Sequence, residues 1–167
     1  TGKTSNTNGC VAIGYSALSS DTNGPGTQNI GIGRFAGQFI NSGSTNNILI
    51  GANLFSNAVT TNTFLGNIYI GTTNNTSMAN ASFNYNVVIG YKAGTATSGS
   101  ANILIGGNNT TVIEAPTVGG SNQLNVGNVL YGSGLYGTGK IGVNVPTPVN
   151  ALDVAGNISC SLITGSN

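Results

Sequence analysis

The chain has 167 residues, of which 27 are glycine, 4% are charged and none is histidine. Its net charge of +1 provides no electrostatic basis for binding nucleic acid or an anionic membrane surface. Because 38% of the residues are hydrophobic, the chain also differs from disordered proteins, which combine low hydrophobicity with high net charge. No stretch approaches the roughly 20 apolar residues of a membrane helix, so we expect no membrane insertion.

A short phrase recurs along most of the chain: an apolar residue, a variable residue, Ile or Val, and then glycine. Successive glycines are about 18 residues apart, and a period of this size is typical of a solenoid that stacks one small unit on the next. The sequence therefore predicts an all-β fold, a parallel β-solenoid or β-roll of about eight repeats. The glycines that end the copies are Gly14, Gly33, Gly51, Gly71, Gly90, Gly106, Gly127 and, in a degenerate copy, Gly142.

In each clear copy the residues one and three places before the glycine are apolar, and this spacing puts both on one face of a strand. We expect that face to be a buried structural ladder, and the variable middle residue to face oligomer contacts or the surface. The glycine is expected at a corner where φ is positive or neighbouring chains approach closely. The predicted ladder residues are Val11, Ile13, Ile30, Ile32, Ile48, Ile50, Ile68, Ile70, Val87, Ile89, Ile103, Ile105, Leu124 and Val126.

Five copies carry asparagine four places before the glycine. Stacked in register, their amides would form a hydrogen-bonded Asn ladder along the solenoid axis. The alternative is that asparagine is simply common in this chain and favours the turn before a strand. The five residues are Asn29, Asn47, Asn67, Asn86 and Asn102.

The pattern changes towards the end of the chain. We place the repeat solenoid at residues 1–131, a Gly-rich linker at 132–139, and a small β-rich segment at 140–167. The two cysteines, Cys10 and Cys160, lie near opposite ends of the array. In a long solenoid their Cα atoms would be further apart than the roughly 7 Å that a disulfide allows.

Residues 29–37 (NIGIGRFAG) and 86–94 (NVVIGYKAG) resemble the N-x-x-IG-x-x-AG repeats of phage and large-virus tail-fibre proteins. Similar phrases build the heads of trimeric autotransporter adhesins. Residues 141–158 are similar to an IG-x-x-x-P stretch followed by LDV-x-G-x-I, which in viral fibres often precedes a C-terminal chaperone domain. The resemblance implies a homotrimeric β-structured shaft or head with an adhesive surface, on a virion or outside a cell.

Catalysis finds little support in the composition. Without histidine the chain lacks the commonest general base and metal ligand, and two cysteines alone cannot build a tetrahedral zinc site. The three acidic residues, Asp21, Glu114 and Asp153, are dispersed along the sequence. We therefore expect no enzymatic activity, no metal and no cofactor.

Three aromatic residues that follow the repeat strands, Tyr15, Phe35 and Tyr91, are candidates for contact with a glycan or a receptor. Aromatic faces beside asparagine and threonine suit neutral glycans, which bind through stacking and uncharged hydrogen bonds. The alternative is that these rings pack between coils or between subunits.

The sequence thus predicts a structural, adhesive fibre segment that attaches a virus particle or cell to its target. Its expected partners are copies of itself, most simply in a trimer, and a glycan or protein receptor on the host surface. Two other hypotheses stay open. One is a self-polymerising extracellular filament subunit, and the other is a tailspike-type domain that degrades polysaccharide, which would need a carboxylate pair about 5–9.5 Å apart.

Overall fold

The structure is a computed structural model that describes residues 9–19, 26–56, 63–72, 84–94, 99–117, 119–135 and 137–159. These residues contain ten short strands and no helix, which confirms the prediction of an all-β solenoid. The strands form one sheet in which each strand pairs with the next in the chain. They are β1 (Val11–Ile13), β2 (Ile30–Ile32), β3 (Ile48–Ile50), β4 (Ile68–Ile70), β5 (Val87–Ile89), β6 (Ile103–Ile105), β7 (Gln123–Val126), β8 (Leu130–Ser133), β9 (Lys140–Val143) and β10 (Leu152–Val154).

Strands β1 to β7 pair in parallel, and equivalent positions of successive copies stand opposite one another. Ile30, for example, pairs with Ile48, and Ile48 pairs with Ile68. Parallel strands need a crossover between them, and the described parts of these connections contain no helix. Residues at equivalent positions of successive repeats are therefore the residues that pair in the sheet.

The solenoid has about five turns, fewer than the eight that the sequence predicts. One reason is that β8 reverses direction and pairs antiparallel with both β7 and β9. The degenerate eighth copy, which ends at Gly142, lies in β9 and so belongs to this reversed segment and not to a coil.

The predicted orientation of the strands is wrong. The middle residue of each strand faces the interior: Leu49 and Leu104 are fully buried, and Tyr69 and Val88 are 1% exposed. The predicted ladder residues lie on the opposite face, half-buried or exposed, because side chains alternate along a strand. This correction applies to Val11, Ile13, Ile30, Ile32, Ile48, Ile50, Ile68, Ile70, Val87, Ile89, Ile103, Ile105, Leu124 and Val126.

The interior is narrow, and the returning coil fills much of it. Strands β3 to β6 each contribute one inward side chain, and residues that follow the corner glycine pack against it from the other side. An aromatic cluster lies at the centre: the ring centroid of Phe55 is 4.8 Å from that of Phe64 and 4.8 Å from that of Tyr69, both edge to face. The coil contributes further buried residues, including Leu18, Ala36, Ile40, Leu54, Ala93 and Ile113.

The sheet continues across the predicted linker. Gly132 and Ser133 belong to β8, which pairs antiparallel with β9. The C-terminal segment then adds β10 parallel to β9. The C-terminal strands therefore extend the sheet of the solenoid.

Candidate functional site

The corner glycines form a column in which a side chain has no room. Gly14, Gly33, Gly51, Gly71, Gly90 and Gly106 all have φ between 120° and 143°, a conformation that L-residues rarely adopt. In the first five, a Cβ atom would collide with the carbonyl oxygen of the next glycine in the column. The predicted corner, with positive φ and close approach together, is therefore confirmed in these copies.

The last two predicted corners differ. Gly127 has φ of +62°, and a Cβ there would meet nothing within 4 Å. Gly142 is outside the left-handed region, although a Cβ there would collide with the carbonyl oxygen of Val145. Gly127 is the last corner of the parallel coil, and Gly142 lies inside β9 of the reversed segment, so neither is followed by a further stacked corner glycine.

The five asparagines form a continuous buried ladder. The Oδ1 atom of each of the first four accepts the backbone N–H of the asparagine in the next coil, at 2.9 to 3.0 Å. The Nδ2 groups of the second, third and fourth asparagines also donate to the Oδ1 atom of the preceding one, at 2.9, 2.9 and 3.3 Å. The residues are Asn29, Asn47, Asn67, Asn86 and Asn102, and all are at most 1% exposed.

The ladder has two terminal residues that the sequence pattern missed. Cys10 lies four places before Gly14, and its Sγ atom accepts the backbone N–H of Asn29 at 3.4 Å. Gln123 lies four places before Gly127 and donates its backbone N–H to Asn102 Oδ1 at 2.9 Å. The Gln123 side chain then turns to its own coil and accepts the N–H of Thr117 at 2.7 Å. The sequence signal for Cys10 and Gln123 was their position four places before the corner glycine.

The backbone before each strand also repeats. The residue five places before the glycine is left-handed in successive copies: Gln28, Asn46, Gly66, Tyr85, Ala101 and Asn122 have φ between 56° and 63°. Such φ values are uncommon for residues other than glycine and asparagine. The geometry of the coil therefore imposes a left-handed backbone on Gln28, Tyr85 and Ala101, although these residue types rarely adopt it.

Two of the three predicted contact residues lie together. The rings of Tyr15 and Phe35 meet edge to face, with centroids 5.4 Å apart, and the Arg34 guanidinium lies 4.2 Å above the Phe35 ring. Tyr15 is 66% exposed. Tyr91 lies three copies further along the sheet, with the Lys92 ammonium 5.6 Å from its ring centroid. The candidate contact surface is therefore the Tyr15–Arg34–Phe35 corner, and Tyr91 stands apart from it.

One of the charged groups, Asp153, stabilises a local turn before β10. Asp153 accepts hydrogen bonds from the Asn150 side chain and from the backbone N–H groups of Asn150 and Val149. These bonds, led by that of the Asn150 side chain, hold the pKa of Asp153 below its usual value. Asp21 and Cys160 lie outside the described residues. The described part of the chain contains no group of three His, Cys, Asp or Glu side chains that could hold a metal ion.

A search of protein-family models, of curated proteins and of solved structures finds no match to this chain. The described residues also include no helix that could span a membrane. The function must therefore be argued from the coil itself.

Proposed function

We propose that this chain is a structural segment of a fibre outside a cell or on a virion, where it works as a homo-oligomer and attaches the particle to its target. The observation that carries the proposal is the buried Asn ladder, which links one coil to the next from Asn29 to Asn102. A side-chain ladder inside a solenoid ties each coil to its neighbours along the axis. A shaft that transmits force along its axis needs such links between successive coils.

The surface chemistry supports attachment. The chain carries very little charge, so its contacts with a target must rely on aromatic, amide and hydroxyl groups. The Tyr15–Arg34–Phe35 corner combines two rings with a guanidinium held over one of them. Such a corner suits a glycan, because sugar rings stack on aromatic faces and a guanidinium donates several hydrogen bonds to sugar oxygens.

Attachment is tested by immobilising the chain on beads and measuring their retention on glycan arrays and cell surfaces. We expect retention of the wild-type chain and at least a tenfold loss in a Tyr15→Ala, Arg34→Ala double variant. The matched control is Tyr85→Asn, which removes an exposed tyrosine elsewhere and places asparagine at a left-handed position that it tolerates. Wild-type beads that are retained on no surface would contradict the attachment role.

The edges of the sheet formed by the described strands favour one alternative, the self-polymerising filament. Among these strands β1 and β10 lie at the edges, and an edge strand can offer N–H and C=O groups to further strands. Filament growth that rises with concentration, followed by electron microscopy, would favour this alternative. A particle of fixed mass over the same concentration range would favour a closed oligomer.

A further inference from the structure

The outer side of the sheet carries an aliphatic face that is interrupted at Gly132. It consists of the two outward positions of every strand, which form two columns across all ten strands. One column is Val11, Ile30, Ile48, Ile68, Val87, Ile103, Leu124, Gly132, Ile141 and Leu152. The other is Ile13, Ile32, Ile50, Ile70, Ile89, Ile105, Val126, Leu130, Val143 and Val154.

This face survives the change of strand direction. β8 is antiparallel to β7, yet Leu130 pairs with Val126 and then with Val143 of β9. Val154 of β10 pairs with Val143 and completes the column. The coil repeat cannot account for aliphatic residues here, because the repeat has already ended. The feature that the parallel coil and the reversed segment share is the outer surface of the sheet.

The coil core does not need these side chains. The interior is filled by the middle residues and the returning coil, so the outward residues other than Gly132 are left half-buried or exposed. Ile13 is 58% exposed, and Ile89 and Ile105 are each 37% exposed. None of the twenty positions carries a charge or a side-chain hydrogen-bonding group. Contiguous apolar surface of this kind marks an interaction site in a soluble protein.

The dimensions of the face can be compared with those of interfaces between proteins. Ten strands spaced about 4.8 Å apart make a strip about 43 Å long, and three residues of strand make it about 10 Å wide. The projected area of the strip is therefore about 430 Å², roughly half of the ~800 Å² that each partner buries in a standard stable complex, and the side chains that stand on it add to that area. The strip is long and narrow, so a partner must follow the solenoid axis.

We propose that this aliphatic face is the contact between copies of the chain, which pack parallel around a common axis with like strands side by side. The proposal specifies the interface of the oligomer named under Proposed function and rests on it. A second copy offers the same strand spacing and the same uncharged columns along the whole strip. When copies are related by rotation about an axis parallel to the solenoid, each strand lies at the same height as its counterpart in the next copy. Neighbouring copies then cover the narrow aliphatic strip along both of its long sides.

The first test compares Ile89→Thr, Ile105→Thr with a control double variant, Val112→Thr, Ile158→Thr, by sedimentation over a range of concentrations. The control makes similar changes at exposed residues outside the sheet. We expect an oligomer for the wild type and the control, and at least a tenfold weaker association for the face variant, with an unchanged circular dichroism spectrum. A face variant that associates as tightly as the wild type would overturn the proposal, as would a monomeric wild type.

The second test fixes the orientation through disulfide crosslinking. In a background with Cys10→Ser and Cys160→Ser, Ile32→Cys lies on the second strand and Val143→Cys on the ninth. Parallel copies crosslink each variant with itself, whereas antiparallel copies crosslink only a mixture of the two. The mixed pattern would overturn the parallel arrangement. Wild-type beads that are retained on no surface, with the oligomer intact, would instead count against the attachment role alone.

Discussion

The parallel coil and the antiparallel end use the same sheet but are held together differently. In the coil, β1 to β7, every copy repeats a corner glycine and an inward middle residue, and a ladder of amides runs through the interior. At the end, β8 to β10, the strands are joined by a hairpin connection and by a turn capped by Asp153. The transition is marked by Gln123, whose side chain bonds to its own coil.

This difference shows that the same sequence motif can occupy different structural positions in the two regions. An Ile-Gly or Val-Gly pair ends a coil strand at Gly71, but at Gly142 the same pair lies inside a sheet strand of the reversed segment. The physical distinction is whether a further corner stacks directly on the glycine. Substitutions that are matched between the two regions should therefore have unequal effects.

The largest inequality is expected at the corner glycines. In Gly71→Ala the new Cβ would collide with the carbonyl oxygen of Gly90, and φ is +143°. Backbone strain and overpacking together should lower the free energy of unfolding by about 4 kcal/mol. Gly127→Ala has φ of +62° and open space, so it should cost about 1 kcal/mol. Denaturant unfolding measures both, and equal losses would contradict a special role for the stacked column.

The second inequality concerns the Asn ladder. Asn67→Ala removes the acceptor of the Asn86 backbone N–H and of the Asn86 Nδ2 group, in a fully buried site. Leaving these donors unsatisfied should cost about 3 kcal/mol. Asn109→Ala changes an exposed asparagine of the long connection before β7 and should cost less than about 0.5 kcal/mol. A ladder variant with the stability of the control would show that the amide bonds contribute nothing net.

The repeat and its ladder could be predicted from sequence because both depend on spacing. Glycine recurs at one position and asparagine four places before it, and register alone brings each set together. The burial of the strand faces could not be read in the same way. Isoleucine recurs at the outward positions, whereas the inward position varies from Gly31 to Tyr69 because each coil fills its interior with a different set of returning residues. The regular apolar spacing identified the strands, but it did not identify which face of each strand is buried.

The smallest effect contrasts two buried tyrosines, one in each region. In the coil, the Tyr69 hydroxyl has no hydrogen-bond partner among the described residues, and burial, with a smaller contribution from Glu114, raises its pKa. In the end region, the Tyr131 hydroxyl donates to the Asn128 carbonyl oxygen at 2.9 Å. Tyr131→Phe loses that bond and should cost about 1 kcal/mol, whereas Tyr69→Phe removes an unsatisfied group and should stabilise the chain by about 1 kcal/mol. Thermal unfolding gives the sign of each change. A loss of stability in Tyr69→Phe would mean that the hydroxyl is bonded in the assembled coil.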